Sequence, residues 1–368
     1  MRESILYSNR AVNLFQKMGN NYGLGFALAN LGKAQLRLAH YTEDDQLLHQ
    51  SRESLKKSQE LVPQSQDAEL WAKNELYLGL CQEFLGAKTF DAPTLQEASD
   101  IYKRLRSLYD RNTRKPMWEE LCNFQAEVEI LLGNLDCDSK REDLVLKMLG
   151  DIRSENGFQK DEIRAEELDE SLGKALNHKG VKEKDSKSMR DGVSLLEEAL
   201  TIANQGNIES LKCSCLSELL LAYSNLLQLV PDASLAARAK DYLETFKKGC
   251  ASSPVPMNEA SHEINMAKLE RSLGTFEKDK SWLLKARPQA ASAFKIYQAH
   301  HYVFFAATAR LELGNEDYLL GQMTGDSTAY QRAFEEFKAS EKTFKTYGVC
   351  WEKDLKDKIR KSKDFSKK

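Results

Sequence analysis

Residues 71–102 read WAKNELYLGLCQEFLGAKTFDAPTLQEASDIY and set a frame that recurs along the whole chain. In this frame Gly79 and Gly86 stand seven residues apart, Ala98 follows twelve residues later, and Tyr102 follows four residues after that. A shift of 47 residues in either direction repeats the first position as Gly32, Gly79, Ala126, Gly173, Leu220, Ala267 and Gly314. Self-similarity at a step of roughly 20 to 50 residues indicates a stacked repeat array.

The residue types in the frame predict a helical hairpin in each repeat. The second position is also mostly small: Ala39, Gly86, Gly133, Gly180, Leu227, Gly274 and Gly321. The fourth position is mostly large and apolar: Leu55, Tyr102, Leu149, Leu196, Leu243, Ala290 and Phe337. Small residues on one helix let a neighbouring helix approach closely, and an apolar stripe on the second helix faces that contact.

These residues carry a resemblance to a known family. The order Trp71-Ala72, Leu78-Gly79, Gly86, Leu95 to Ala98 and Tyr102 resembles the tetratricopeptide repeat, in a long variant seen in bacterial regulatory proteins. The repeat here has 47 residues, whereas the usual length is about 34. The resemblance covers nearly all of the chain and is weakest in the fifth and sixth repeats. It implies an all-α fold, a right-handed α-solenoid of about seven hairpins with a polar C-terminal capping helix.

The frame divides the chain into three parts. Residues 1–18 match only a second helix, so we expect a truncated leading repeat in a segment cut from a longer protein. Residues 19–347 hold seven repeats, and residues 348–368, after Trp351, form a polar capping helix with a lysine-rich tail. Pro288 falls inside a second helix, which should therefore be kinked or start late.

Composition excludes several classes of protein. The net charge of −3 gives no general attraction to nucleic acid. The chain has no apolar run long enough to predict a membrane helix and no signal peptide. The seven cysteines have no paired spacing, so we expect thiols, including Cys213 and Cys215, in a reducing, cytoplasmic compartment.

Residue patterns for catalysis or metal binding are missing from the sequence. His262-Glu263 lacks the second histidine of a helical zinc protease, and the adjacent His300 and His301 point to different sides of a helix. The acidic run Asp161, Glu162, Glu166, Glu167, Asp169 and Glu170 predicts a solvated helix face. We therefore expect no enzyme activity, no cofactor and no metal.

A partner-binding groove on the first helices is the functional prediction. In tetratricopeptide arrays these helices line a concave surface that receives a peptide. The candidates, apolar in the N-terminal half and more polar in the C-terminal half, are Phe26, Lys33, Lys73, Leu76, Leu80, Phe84, Asn123, Ile130, Lys174, Asn177, Lys268, Arg271, Asn315 and Tyr318. The competing interpretation assigns Leu76, Leu80, Phe84 and Ile130 to the core between repeats.

Two functions remain open at this point. The first is a non-catalytic scaffold that binds a protein or peptide partner in the groove, with self-association possible and no nucleic acid or membrane as partner. The second is the sensor or oligomerisation arm of a larger regulatory enzyme, such as a signalling ATPase, a nucleotide cyclase or a caspase-like protease. Arrays that resemble this long variant often accompany such catalytic domains.

Overall fold

The structure is a computed structural model that describes residues 1–109, 111, 113–154, 162–250, 252–349 and 352–367, with side chains described for all of these except 162–164 and 352–353. Trp351 and Asp161 lie outside the described residues. The described residues form sixteen α-helices and no strand: α1 Arg2–Lys17, α2 Asn21–Thr42, α3 Asp45–Leu61, α4 Ala68–Thr89, α5 Ala92–Leu108, α6 Lys115–Gly133, α7 Lys140–Arg153, α8 Glu162–Glu183, α9 Ser186–Gln205, α10 Glu209–Leu229, α11 Ala233–Gly249, α12 Pro256–Glu277, α13 Lys280–Ala299, α14 Val303–Thr324, α15 Ser327–Tyr347 and α16 Glu352–Phe365.

The first helices of the repeats begin at a constant step. Their first residues, each 47 positions after the one before, are Asn21, Ala68, Lys115, Glu162, Glu209, Pro256 and Val303. Each first helix is followed by the second helix of its hairpin. The prediction of an all-α solenoid fold is therefore confirmed.

The chain separates into two compact units, unit 1 from Met1 to Val128 and unit 2 from Glu129 to Lys368. In unit 1, α2 packs on α3, and also on α4 of the next repeat. In unit 2, α8, α10, α12 and α14 pack in sequence, each on the next first helix, while α9, α13 and α15 pack on the first helix of their own hairpin. The buried apolar side chains of each unit therefore lie between hairpins, as in other helical repeat proteins.

The first and fourth positions of the frame form one contact. A methyl group on Gly79 would lie 2.7 Å from Tyr102 Cε1, and a methyl group on Gly32 would lie 2.6 Å from Leu55 Cγ. The same overlap would occur at Gly173, against Leu196. Glycine recurs here because the large apolar residue of the second helix occupies the space of a side chain.

An aspartate precedes the second helix of every repeat, at Asp44, Asp91, Asp138, Asp185, Asp232, Asp279 and Asp326. Six of them are N-cap residues, and each accepts a backbone N–H of the first turn, as Asp91 Oδ2 does from Thr94 at 3.0 Å. In the third repeat Asp138 Oδ1 accepts from Lys140 N at 3.2 Å. The aspartates start the second helix because an N-cap carboxylate satisfies backbone donors that have no partner within the helix.

Removal of one cap should destabilise the chain measurably. We expect Asp91→Ala to lower the free energy of unfolding by about 0.5–2 kcal/mol, because the first turn of α5 loses its acceptor. Asp100→Ala is the control, since Asp100 is exposed in the middle of the same helix and accepts a hydrogen bond from Gln96 Nε2 at 3.2 Å. The control should change stability by no more than about 0.5 kcal/mol. Urea unfolding followed by circular dichroism compares the two, and equal losses would contradict the capping role.

The structure excludes a late start of the helix that contains Pro288, and it excludes a free thiol at Cys213. Helix α13 begins at Lys280, after the N-cap Asp279, and continues through Pro288, so it does not start late. Cys213 is not a thiol, because it forms a disulfide with Cys250 that joins α10 to the end of α11. Cys215 is a buried thiol, as predicted. The prediction of a reducing compartment depended on unpaired cysteines, and the disulfide removes that basis.

The last helix, α16, packs against the end of the array. Helix α16 packs on α15, with Leu355 buried and the Phe365 ring stacked on Tyr330 at 5.1 Å. Among the described residues, no helix combines the length and the apolar character needed to cross a membrane.

Candidate functional site

The predicted groove residues of unit 1 lie on α2, α4 and α6, and we call this surface the N-terminal face. Phe26 is the most open of its apolar side chains, with 52% of its surface exposed. Leu76, Leu80 and Phe84 on α4 are half-buried, as is Asn123 on α6. The burial of these three apolar residues of α4 therefore fits neither a fully open groove nor a fully buried core, since each packs partly against the repeat and partly faces solvent.

Aromatic contacts join α2 and α4 across the N-terminal face. The Lys33 ammonium lies 5.3 Å from the centre of the Tyr77 ring, within the range of a cation–π interaction. His40 and Phe84 stack with ring centres 4.5 Å apart and planes at 13°. Burial lowers the pKa of His40, against the opposing effect of Glu43, so the imidazole is neutral at pH 7.

Lys73 lies at the exposed end of the N-terminal face. It pairs with Glu69 one helical turn earlier, at 2.8 Å. Both side chains are exposed, so the pair contributes little to stability and leaves Lys73 accessible.

Two of the residues predicted for the groove in unit 2 are core residues instead. Ile130 is 6% exposed and Asn177 is 2% exposed. Asn177 Oδ1 accepts a hydrogen bond from Asn225 Nδ2 at 3.4 Å, which uses its polar end inside the packing. A partner cannot reach either side chain, so both assignments to the groove are wrong.

The residues predicted for the groove on α8, α12 and α14 of unit 2 form a surface that we call the C-terminal face. Most of its polar residues have partners within the chain. Lys174 pairs with Glu170 at 2.7 Å, and Arg271 pairs with Glu312. Asn315 Oδ1 accepts from Lys358 Nζ at 2.7 Å. The contacts of Arg271 and Asn315 join neighbouring helices, whereas the Lys174–Glu170 pair lies within α8.

Lys268 and His178 are half-buried basic residues of the C-terminal face. Burial, together with the charges of Lys182, Lys268 and Lys174, lowers the pKa of His178 to about 4, so the imidazole is neutral. Burial also lowers the pKa of Lys268. Tyr318, half-buried near the end of α14, packs edge-on against Tyr330 at 5.6 Å and has its pKa raised by burial.

The acidic run at the start of α8 is not a solvated face. Glu166, Asp169 and Glu170 are 0%, 5% and 6% exposed, respectively. Asp169 pairs with Arg153 at 2.6 Å, and burial raises the pKa of Glu166 to about 7. The prediction is wrong because one stripe of this helix faces α10 rather than water. The side chain of Glu162 is not among those described.

A cleft of about 490 Å³ lies in unit 1, outside the predicted groove. It runs between the second helices α3 and α5 above α4, and its wall includes Arg52, Gln82, Glu97 and Arg104. Arg52 Nε is buried without a hydrogen-bond partner among the described residues, while Gln82 and Glu97 bond to each other. Sequence reasoning missed this cleft because its wall is assembled from three helices and leaves no local pattern.

Comparison with known proteins does not assign the chain to a family. No protein-family model and no curated protein matches the sequence. Among solved structures, the chain is similar to a circular tandem repeat protein described as having a novel repeat topology and enhanced subunit contact surfaces. The match has 16% identity and a TM-score of 0.30, and covers 99% of this chain and 91% of the other.

Proposed function

We propose that this chain is a non-catalytic interaction scaffold of tetratricopeptide type, which binds a segment of a partner protein on the N-terminal face. The observation that carries the proposal is the exposure of Phe26, a large apolar side chain with 52% of its surface open to solvent. Lys33 lies seven residues further along α2, on the same side of the helix, and reaches the Tyr77 ring. Aromatic anchors beside a cation are typical of protein-binding surfaces.

The chemistry of the two faces favours the N-terminal one. On the C-terminal face Lys174, Arg271 and Asn315 already have partners within the chain, so binding a ligand there would first break those contacts. On the N-terminal face, contact with Phe26 would remove apolar surface from water, and this gain needs no broken hydrogen bond. The expected ligand is a helical or extended segment with apolar anchor side chains and a carboxylate to meet Lys33.

The test is a selection of peptides by display against the full chain, followed by calorimetric titration of the recovered peptide. We expect Phe26→Glu and Lys33→Glu each to weaken binding by about tenfold or more, which corresponds to about 1.4 kcal/mol. Leu284→Glu is the matched control, because Leu284 is a large apolar residue, 57% exposed, on the second helix α13. It should leave the affinity unchanged.

Circular dichroism must first show that all three variants are folded. A selection that recovers no peptide would contradict the proposal. So would a peptide whose affinity falls with Leu284→Glu, or one that binds Phe26→Glu and Lys33→Glu as tightly as the parent.

A further inference from the structure

Three potential metal ligands meet between α8 and α10 in unit 2. Glu166 and Glu170 lie one helical turn apart on α8, and Cys215 lies on α10. One ligand atom from each side chain lies within 4.8 Å of the other two. All three residues are buried, with exposures of 0%, 6% and 0%.

Glu166 is bonded at only one of its two oxygens. The Cys215 thiol donates to Glu166 Oε1 with a separation of 2.8 Å. Glu166 Oε2 is buried and has no hydrogen-bond donor among the described residues. A buried carboxylate oxygen without a donor is costly, so this atom points to a missing positive group in the cluster.

Glu170 differs from Glu166 in having an ammonium group paired with it. Its Oε1 accepts from Ser214 Oγ at 2.6 Å and pairs with Lys174 Nζ at 2.7 Å. Lys174 therefore balances one of the two carboxylate charges. The charge of Lys174 also acts on Glu166, but no donor among the described residues bonds to Glu166 Oε2.

We propose that Glu166, Glu170 and Cys215 form a binding site for a divalent cation of the zinc class. A thiolate ligand selects zinc-like ions over magnesium or calcium, and carboxylate oxygens complete such sites in proteins. Three protein ligands leave one position of a tetrahedron for water. The bound cation would be the positive partner that Glu166 Oε2 lacks among the described residues.

The geometry requires only a small contraction. Ligand atoms around a tetrahedral zinc ion lie about 3.5 Å apart, given bonds of about 2.0 to 2.3 Å. The three ligand atoms lie within 4.8 Å of one another, so each pair would have to approach by at most about 1.3 Å. Binding deprotonates the Cys215 thiol, and the proton leaves to solvent. Burial raises the pKa of this thiol, and it raises the pKa of Glu166 to about 7, so protons compete with the metal at both groups.

The test is a titration of the full chain with Co²⁺, without a thiol reductant so that the Cys213–Cys250 disulfide stays closed. We expect one equivalent to bind with a cobalt–thiolate charge-transfer band in the near ultraviolet, and Zn²⁺ to displace it. Cys215→Ser should abolish the band. Glu166→Gln should weaken binding by about tenfold or more while the band keeps its position.

The chain offers matched controls for both substitutions. Cys81→Ser removes another buried thiol, which lies 3.3 Å from Ser51 Oγ in unit 1, and should leave the band intact. Glu167→Gln changes the next carboxylate on α8, which is half-buried and outside the cluster, and should leave the affinity unchanged.

Four results would overturn the proposal. The first is a folded parent protein that shows no cobalt–thiolate band. The second is a band that survives in Cys215→Ser, and the third is a Glu166→Gln affinity equal to that of the parent. If the Cys215→Ser variant is not folded by circular dichroism, the Glu166→Gln comparison decides. Loss of the band in a Cys213→Ser, Cys250→Ser double variant would assign the thiolate to those cysteines and Glu209, and would also overturn it.

Discussion

Replacement of Tyr102 by alanine is expected to lower the free energy of unfolding by about 3–5 kcal/mol, as for other buried aromatic residues. Tyr102 is fully buried and fills the space that Gly79 leaves open. Its hydroxyl donates to Glu83 Oε2 at 2.7 Å. The substitution therefore removes a large apolar contact and leaves the Glu83 carboxyl without this hydrogen-bond donor. Burial raises the pKa of Glu83 to about 7.

Phe84→Ala is the matched comparison for Tyr102→Ala. Phe84 is half-buried and stacks on His40, so its truncation removes less apolar surface from the core. Chemical unfolding followed by circular dichroism should show the smaller loss for Phe84→Ala. Equal large losses would place Phe84 in the core and take it away from the N-terminal face. A Tyr102→Ala variant as stable as the parent would contradict the contact between Gly79 and Tyr102.

The repeat frame could be predicted from the sequence because buried positions recur with the period of the structure. Gly79 and Tyr102 were assigned to facing positions of one hairpin, and the structure places them in contact. Periodicity identifies such pairs because each hairpin buries the same stripe against its neighbours.

The aspartate of each repeat, Asp91 and its six equivalents, was equally visible but was missed. It is the same residue in all seven repeats, whereas the glycine and alanine positions vary. A polar N-cap residue is not part of a pattern of small and apolar residues. A comparison of every column in the 47-residue frame finds it.

The pairing of Cys213 with Cys250 within the fifth repeat could not be predicted in the same way. Cys213 and Cys250 are separated by 37 residues, and their pairing depends on how α11 packs beside α10. The burial of Glu166, in contrast, could be predicted from its position on the helix. Glu166, Glu170 and Gly173 share one stripe of α8 by helical spacing, and the glycine already marked that stripe as a packing surface. The charge of Glu166 predicts exposure to solvent, whereas its position in the repeat frame predicts the burial that the structure shows.

Gly173→Leu is expected to destabilise the chain by about 1–3 kcal/mol through overpacking between α8 and α9. A methyl group at this position would lie 2.7 Å from Leu196 Cγ and 3.0 Å from the carbonyl oxygen of Gly192. The Leu196 side chain can rotate, but the Gly192 carbonyl belongs to the backbone of α9. The two helices must therefore separate to admit a leucine.

Gly150→Leu is the control for Gly173→Leu. Gly150 lies in α7, and no described heavy atom outside its own local backbone comes within 4 Å of a methyl group placed there. Leucine is a better helix former than glycine by roughly 0.5–1 kcal/mol, so the control should keep or raise stability. Opposite signs for the two substitutions in thermal and urea unfolding would locate the cost in the helix contact. A loss of similar size in both would mean that the small residues of the frame serve some purpose other than the close approach of α8 and α9.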